Sequence, residues 1–242
     1  MRSVRNHEEV SEDEPLWRYF RADRFVAALQ SSTLYFAAAT EFEDRFEGAV
    51  AVQSADLPID PRYAAIDFPE RAFEQLRRLT KLSCWHRADY ESDAMWRLYA
   101  SAHKGVAIRT TAGRLRAALR PYRLAPEYGE EEPFWGSVQY FDLLKERLRV
   151  SMLERFFVKH RAFELEREFR IAISVRTAEE FGVQVPELGI QVAFDPDPLV
   201  EWVYLGPALA APERDQILAS LEATRLTARQ VTSSLLGRPR YV

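Results

Sequence analysis

The stretch Phe163-Glu164-Leu165-Glu166-Arg167-Glu168-Phe169-Arg170-Ile171 constrains this chain more than any other. It runs straight into Ala172-Ile173-Ser174-Val175, a short apolar run that reads as a buried strand. Charges at the mouth of a buried strand are uncommon unless they pair with one another or do chemistry. Two geometries are open. If the strand begins early, alternation puts Glu166, Glu168 and Arg170 on one face. If the preceding helix runs on, Glu166 and Arg170 become an i, i+4 ion pair instead.

The rest of the chain reads as strands and helices mixed without regular βαβ spacing. Strands are expected at 16–20, 33–37, 81–86, 105–110, 137–141, 169–175, 190–194, 200–204 and 230–233. Helices are expected at 21–30, 69–79, 93–102, after Thr111, at 143–165 and at 212–223, with Ser92 and Thr111 as N-caps. Residues 42–48 read as an ordered loop and 54–64, with Pro58 and Pro61, as a surface connection. The pattern predicts an α+β fold with a mixed, mostly antiparallel sheet and flanking helices. The polar, acid-rich residues 1–14 are expected to be flexible and 15–242 to form a single domain.

Several chemistries lack their residues. Neither a dinucleotide fingerprint nor a phosphate-binding P-loop occurs, and there is no G-x-S-x-G elbow. His7, His86, His103 and His160 are not at metal-ligand spacing, so no metal site is expected. The single cysteine, Cys84, lies in a strand as a structural residue and permits no internal disulfide. A net charge of −4 gives no global basic field for nucleic acid. With no apolar signal core and no run long enough to span a bilayer, the expected location is the cytoplasm.

Four segments carry a family resemblance: Leu16-Trp17-Arg18-Tyr19; Phe42-Glu43-Asp44-Arg45-Phe46-Glu47; Ser83-Cys84-Trp85 with Glu91 to Tyr99 and Gly105-Val106-Ala107-Ile108; and Lys159 to Arg170. Together, and in this order, they resemble the bacterial family named "domain of unknown function 2971" over nearly the whole chain. Where that family usually carries Asn-Asp-Pro before its Phe-Glu, this chain has Glu43-Asp44-Arg45.

A second likeness, in order and residue type only, is to ADP-ribosyltransferases, especially toxins that modify DNA. It implies NAD as cofactor, a nucleic acid or protein acceptor, and a role as a bacterial toxin or phage-defence effector. The resemblance places Glu168 as catalytic carboxylate with Glu166 assisting. Arg18, Tyr35, Trp85, Trp96, Tyr99 and Arg170 would contact the cofactor. The chemistry is coherent, because nicotinamide–ribose cleavage passes through an oxocarbenium-like state that a nearby carboxylate stabilises. Two carboxylates so close should push one pKa up, and Arg170 would relieve the repulsion.

Other readings of the same residues stand beside this one. Glu166, Glu168 and Arg170 also read as a structural ion-pair network. Trp85, Trp96 and Tyr99 also read as core. Asp44 and Glu47 also read as organisers of their own loop. The alternative functions are a non-catalytic nucleotide- or peptide-binding sensor module, and a metal-dependent nuclease using Asp44, Glu47, Glu166 and Glu168. The fork is geometric. Catalysis needs Glu168 beside a cavity, whereas oxygens enclosed by salt links mark it as scaffold.

Overall fold

A computed structural model describes residues 1–4, 9–44, 46–49 and 69–236; the expected connection at 54–64 lies outside these residues. In chain order the strands are β1 (Arg2–Ser3), β2 (Pro15–Phe20), β3 (Thr33–Ala38), β4 (Thr80–Arg87), β5 (Val106–Thr111) and β6 (Pro133–Ser137). They continue as β7 (Gln139–Phe141), β8 (Val158–His160), β9 (Glu168–Ser174), β10 (Ile190–Ala193), β11 (Trp202–Leu205) and β12 (Gln230–Thr232). The α-helices are α1 (Ala22–Ser31), α2 (Pro69–Leu79), α3 (Asp93–Tyr99), α4 (Ala112–Ala118), α5 (Arg176–Glu180), α6 (Pro196–Leu199) and α7 (Ala211–Ala223). The fold is α+β, and most strand pairs are antiparallel.

The chain divides into two compact units, each assembled from three separate segments. The first unit comprises Met1–Glu9, Tyr35–Cys84 and Pro121–Val192. In it β9 lies between β6 and β4, and β4 continues to β3 and then β10. The β6–β9 pair is antiparallel, from Pro133 opposite Ile173 to Ser137 opposite Phe169. β1 adds in parallel, Arg2 opposite Phe134, so part of the N-terminal segment is strand, and Val4 after it is buried. β7 and β8 form a separate parallel pair. The core packs Leu76, Leu82, Phe156, Phe157 and Ala172 together, with Phe42 and Cys84 against them. A central strand covered on both faces favours apolar side chains on both, which explains the run Ile171 to Ile173; Arg170 just before it is buried as a charge and needs partners.

The second unit comprises Val10–Leu34, Trp85–Arg120 and Ala193–Val242. Here β2 pairs with the end of β4, Trp17 opposite His86, and along its whole length with β5. β5 pairs with β11, and β11 with β12. Helix α1 packs on α7, and α4 on α6. Trp17, Ala88, Trp96, Ala100 and Ala107 form a core cluster in which small residues make room for two indoles.

Both expected caps are present. The Ser92 hydroxyl accepts a hydrogen bond from the Met95 amide, and the Thr111 hydroxyl one from the Arg114 amide. The helix expected to run to residue 102 ends at Tyr99, because Ser101, Ala102 and His103 take positive φ.

One expectation fails outright. The long helix expected over 143–165 is absent. In its place are a 3-10 turn at Glu154–Phe157, the strand β8, and a second 3-10 turn at Arg161–Glu166. Phe156, Phe157, Val158 and Lys159 are buried in succession. Four consecutive buried side chains point in all directions from a helix axis and suit no one-sided helical stripe. Short tight turns and a strand let each be covered.

Candidate functional site

In the first unit the charged stretch resolves into an interior network. Glu166 ends the second 3-10 turn, Arg167 follows in a left-handed conformation, and β9 begins at Glu168. Alternation along β9 then places Glu168 and Arg170 on one face, where the Arg170 Nε donates to Glu168 Oε2 at 2.5 Å. Arg170 Nη1 and Nη2 reach Glu47 Oε1 and Oε2 at 2.6 and 3.0 Å, a bidentate pair. Nη1 also donates to the Phe156 carbonyl at 2.6 Å, and the Phe42 ring centroid lies 5.7 Å from the guanidinium carbon. Arg170 and Glu47 are both 0% exposed.

Lys159 completes the network. Its Nζ donates to Glu168 Oε1 at 2.7 Å and also to Glu166 Oε2, over the Phe163 ring at 4.5 Å. Both oxygens of Glu168 are therefore held by cations, and the residue is 6% exposed. The Glu168 backbone amide donates to the Tyr140 hydroxyl at 2.7 Å, which fixes the strand's entry.

Burial alone would push all these carboxyls up. At Glu168 the charges of Arg170 and Lys159 overcome burial and hold the carboxyl well below the usual range. At Glu166 burial and the neighbouring Glu168 win, and its carboxyl is pushed up. At Glu47 burial pushes up against the pull of Arg170. Arg170 itself, although burial opposes its charge, is held more firmly protonated than usual by Glu168 and Glu47. Two cations thus face three carboxylates, and Glu166, which shares Lys159 with Glu168, takes a proton more readily than Glu168.

The expected site residues separate into two groups. Tyr35 lies with Glu166, Glu168 and Arg170 in the first unit. Its hydroxyl donates to Glu41 Oε2 at 2.7 Å and accepts from the Gly189 amide at 2.9 Å. Arg18, Trp85, Trp96 and Tyr99 belong to the second unit. The Arg18 guanidinium carbon lies 5.3 Å from the Phe20 ring centroid and 5.5 Å from that of Trp85. Trp85 and Trp96 are 2% and 0% exposed. A ring that stacks on nicotinamide or a base must present an open face, and these two are core. Trp96 also donates to Glu91 Oε2 at 3.0 Å. Tyr99 is exposed.

Lys159 and Glu47 are the members that sequence reasoning did not assign to the network. Reading 143–165 as one helix hid the buried position of Lys159. Asp44 organises its loop as expected, accepting from the Phe46 amide at 2.8 Å, whereas Glu47 leaves the loop for Arg170. Among the described residues no three His, Cys, Asp or Glu side chains converge to hold a metal ion. The Cys84 thiol is pushed up by burial and by the Glu168 charge, which leaves it a protonated, weakly nucleophilic packing group. Among the described residues no helix is long and apolar enough to cross a membrane.

No curated protein and no solved structure matches this chain. Residues 95–171, which carry α3, β5 to β8 and the start of β9 with Lys159, Glu166, Glu168 and Arg170, match the model of a family described as "Protein of unknown function (DUF2971)", and over that span the chain is similar to this family.

Proposed function

We propose that this chain is a non-catalytic binding module for a nucleotide or peptide, with the charged network as its scaffold. One observation carries this reading: both carboxylate oxygens of Glu168 are taken, by Lys159 and Arg170, inside the first unit. A carboxylate that stabilises an oxocarbenium ion must turn an oxygen toward the ribose. To do so, Glu168 would give up a charge-assisted hydrogen bond to a buried cation, a loss of about 1.5–3 kcal/mol. Arg170, the residue that would have relieved the repulsion at an active site, is instead committed to Glu47, Glu168 and the Phe156 carbonyl.

The test is turnover of labelled NAD by the purified chain, alone and with cell extract. The expected result is neither nicotinamide release nor transfer of label. Release by the wild type, lost in a folded Glu168→Gln variant, would overturn the reading and restore Glu168 as a catalytic residue.

A further inference from the structure

Glu131 is, among the described residues, a buried carboxylate of the first unit that the network leaves aside. It precedes β6, and its backbone is fixed by an antiparallel bridge to Tyr122, whose carbonyl accepts from the Glu131 amide at 2.8 Å. The residue is 8% exposed, and its Oε1 finds no hydrogen-bond partner among the described residues. Glu131 lines a cavity of about 300 Å³ whose walls include Leu76, Phe134, Met152 and Leu153. That volume is at the lower end of the range for small-molecule pockets, and a few polar groups on an apolar wall are the usual composition of such a site. The other charged wall residue with an inward role, Arg176, is already engaged, with Glu180 Oε1 at 3.3 Å and the Met152 sulfur at 3.2 Å. Neighbouring Glu132 pairs with Arg2 at 2.6 Å.

We infer that this cavity binds an organic cation, an ammonium or guanidinium on a short apolar stem, through the Glu131 carboxylate. The inference rests on the binding-module reading and narrows it, since an anionic nucleotide would meet the wrong charge. An unpartnered buried carboxylate is costly to keep. A cation in the cavity meets the negative charge of this carboxylate, and its stem covers the Leu76, Phe134 and Met152 walls. Burial pushes the Glu131 carboxyl up, and a bound cation opposes this by favouring the ionised form, so binding strengthens as pH rises and the carboxyl ionises. The same chemistry is offered by a free alkylamine and by a lysine or arginine side chain on a peptide.

The experiment titrates the full chain with n-pentylammonium, with n-pentanol as the neutral control, and with N-acetyl-lysine methylamide as the peptide source. Binding is read by calorimetry and by chemical-shift changes of the Met152 methyl. Pentylammonium should bind and pentanol should not. Tighter binding of the lysine derivative assigns the site to peptides, and weaker binding assigns it to free amines. Glu131→Gln should weaken binding about tenfold or more. Glu131→Leu should abolish binding yet raise the Tm of the unliganded protein by about 2–4 °C, because it removes a buried group without a partner. A merely structural carboxylate would lower the Tm instead. Equal binding of amine and alcohol, or unchanged affinity in Glu131→Gln, overturns the site. That failure is separate from failure of the binding-module reading, which only NAD turnover decides.

Discussion

Arg170 ties three segments of the first unit together. It is a fully buried cation whose partners arrive from β9 itself, from the loop holding Glu47 and from the turn carrying Phe156. Replacing it by methionine fills the volume but leaves Glu47 and Glu168 buried without it. The expected loss is about 3–5 kcal/mol in denaturant unfolding, a large part of a typical stability. A loss below about 1 kcal/mol would mean that the network is solvated rather than sealed. The two neighbouring acids should separate by pH. Glu168 has its folded pKa below the unfolded value, so its stabilisation is present above the ordinary carboxylate range and is lost as pH falls through the folded pKa. Glu166 is shifted the other way, so the folded state prefers it protonated and loses stability as pH rises from the unfolded to the folded pKa. Near neutral pH, Glu168→Gln should therefore cost about 3 kcal/mol and Glu166→Gln about 1 kcal/mol or less. Unfolding curves at several pH values check this ordering, and Glu168→Gln should flatten the acid limb. The pairing of Glu168 with Arg170 was legible in the sequence, because period-two alternation follows directly from a strand. The partners Lys159 and Glu47 were not, because they approach through space from segments whose own periodicity says nothing about β9.

Most elements were legible for local reasons. Helix α2 was anticipated at Pro69–Leu79, and the N-caps Ser92 and Thr111 mark the starts of α3 and α4. Because capping is local, its effect should be modest and separable. Ser92→Ala should destabilise by about 1 kcal/mol in chemical denaturation, without changing the denaturant slope. The absent helix at 143–165 shows the limit of that approach. Its residues have acceptable helix propensity, but tertiary burial of Phe156 to Lys159 on all sides overrides it. Close approach between backbones is equally silent in a sequence. Gly105 precedes β5, and a Cβ there would collide with the Phe20 carbonyl oxygen at the end of β2. Gly105→Ala should cost about 1–3 kcal/mol, more than the cap. Thermal unfolding of the two variants side by side tests the ranking, and a milder effect at Gly105 would show that the β2–β5 register adjusts freely.

At the scale of the molecule, a contiguous domain over 15–242 is a simpler organisation than the two units that form, each stitched from three segments. Sequence could not reveal this. No Gly- or Pro-rich linker separates the units, and three of the connections between them fall inside strands β3, β4 and β10. Strand β4 begins in the first unit with Thr80–Cys84 and ends in the second with Trp85–Arg87. Such interleaving has a consequence for how the chain can be cut. A fragment of residues 1–120 lacks β6 and β9, and with them the strands that flank and contain Arg170 in the first unit. It also lacks β11 and α7, which complete the pairing of β5 and the packing of α1 in the second. Neither unit keeps a closed core in that fragment. It should therefore remain unfolded, with narrow amide dispersion in NMR and no cooperative melt, although it is long enough for a domain. The complementary fragment 121–242 should behave likewise. Co-expression of the two should restore a folded complex if chain continuity at Arg120–Pro121 is dispensable, as it is at an exposed connection. A sharp cooperative melt for either fragment alone would mean that one unit closes its core without the segments assigned to it.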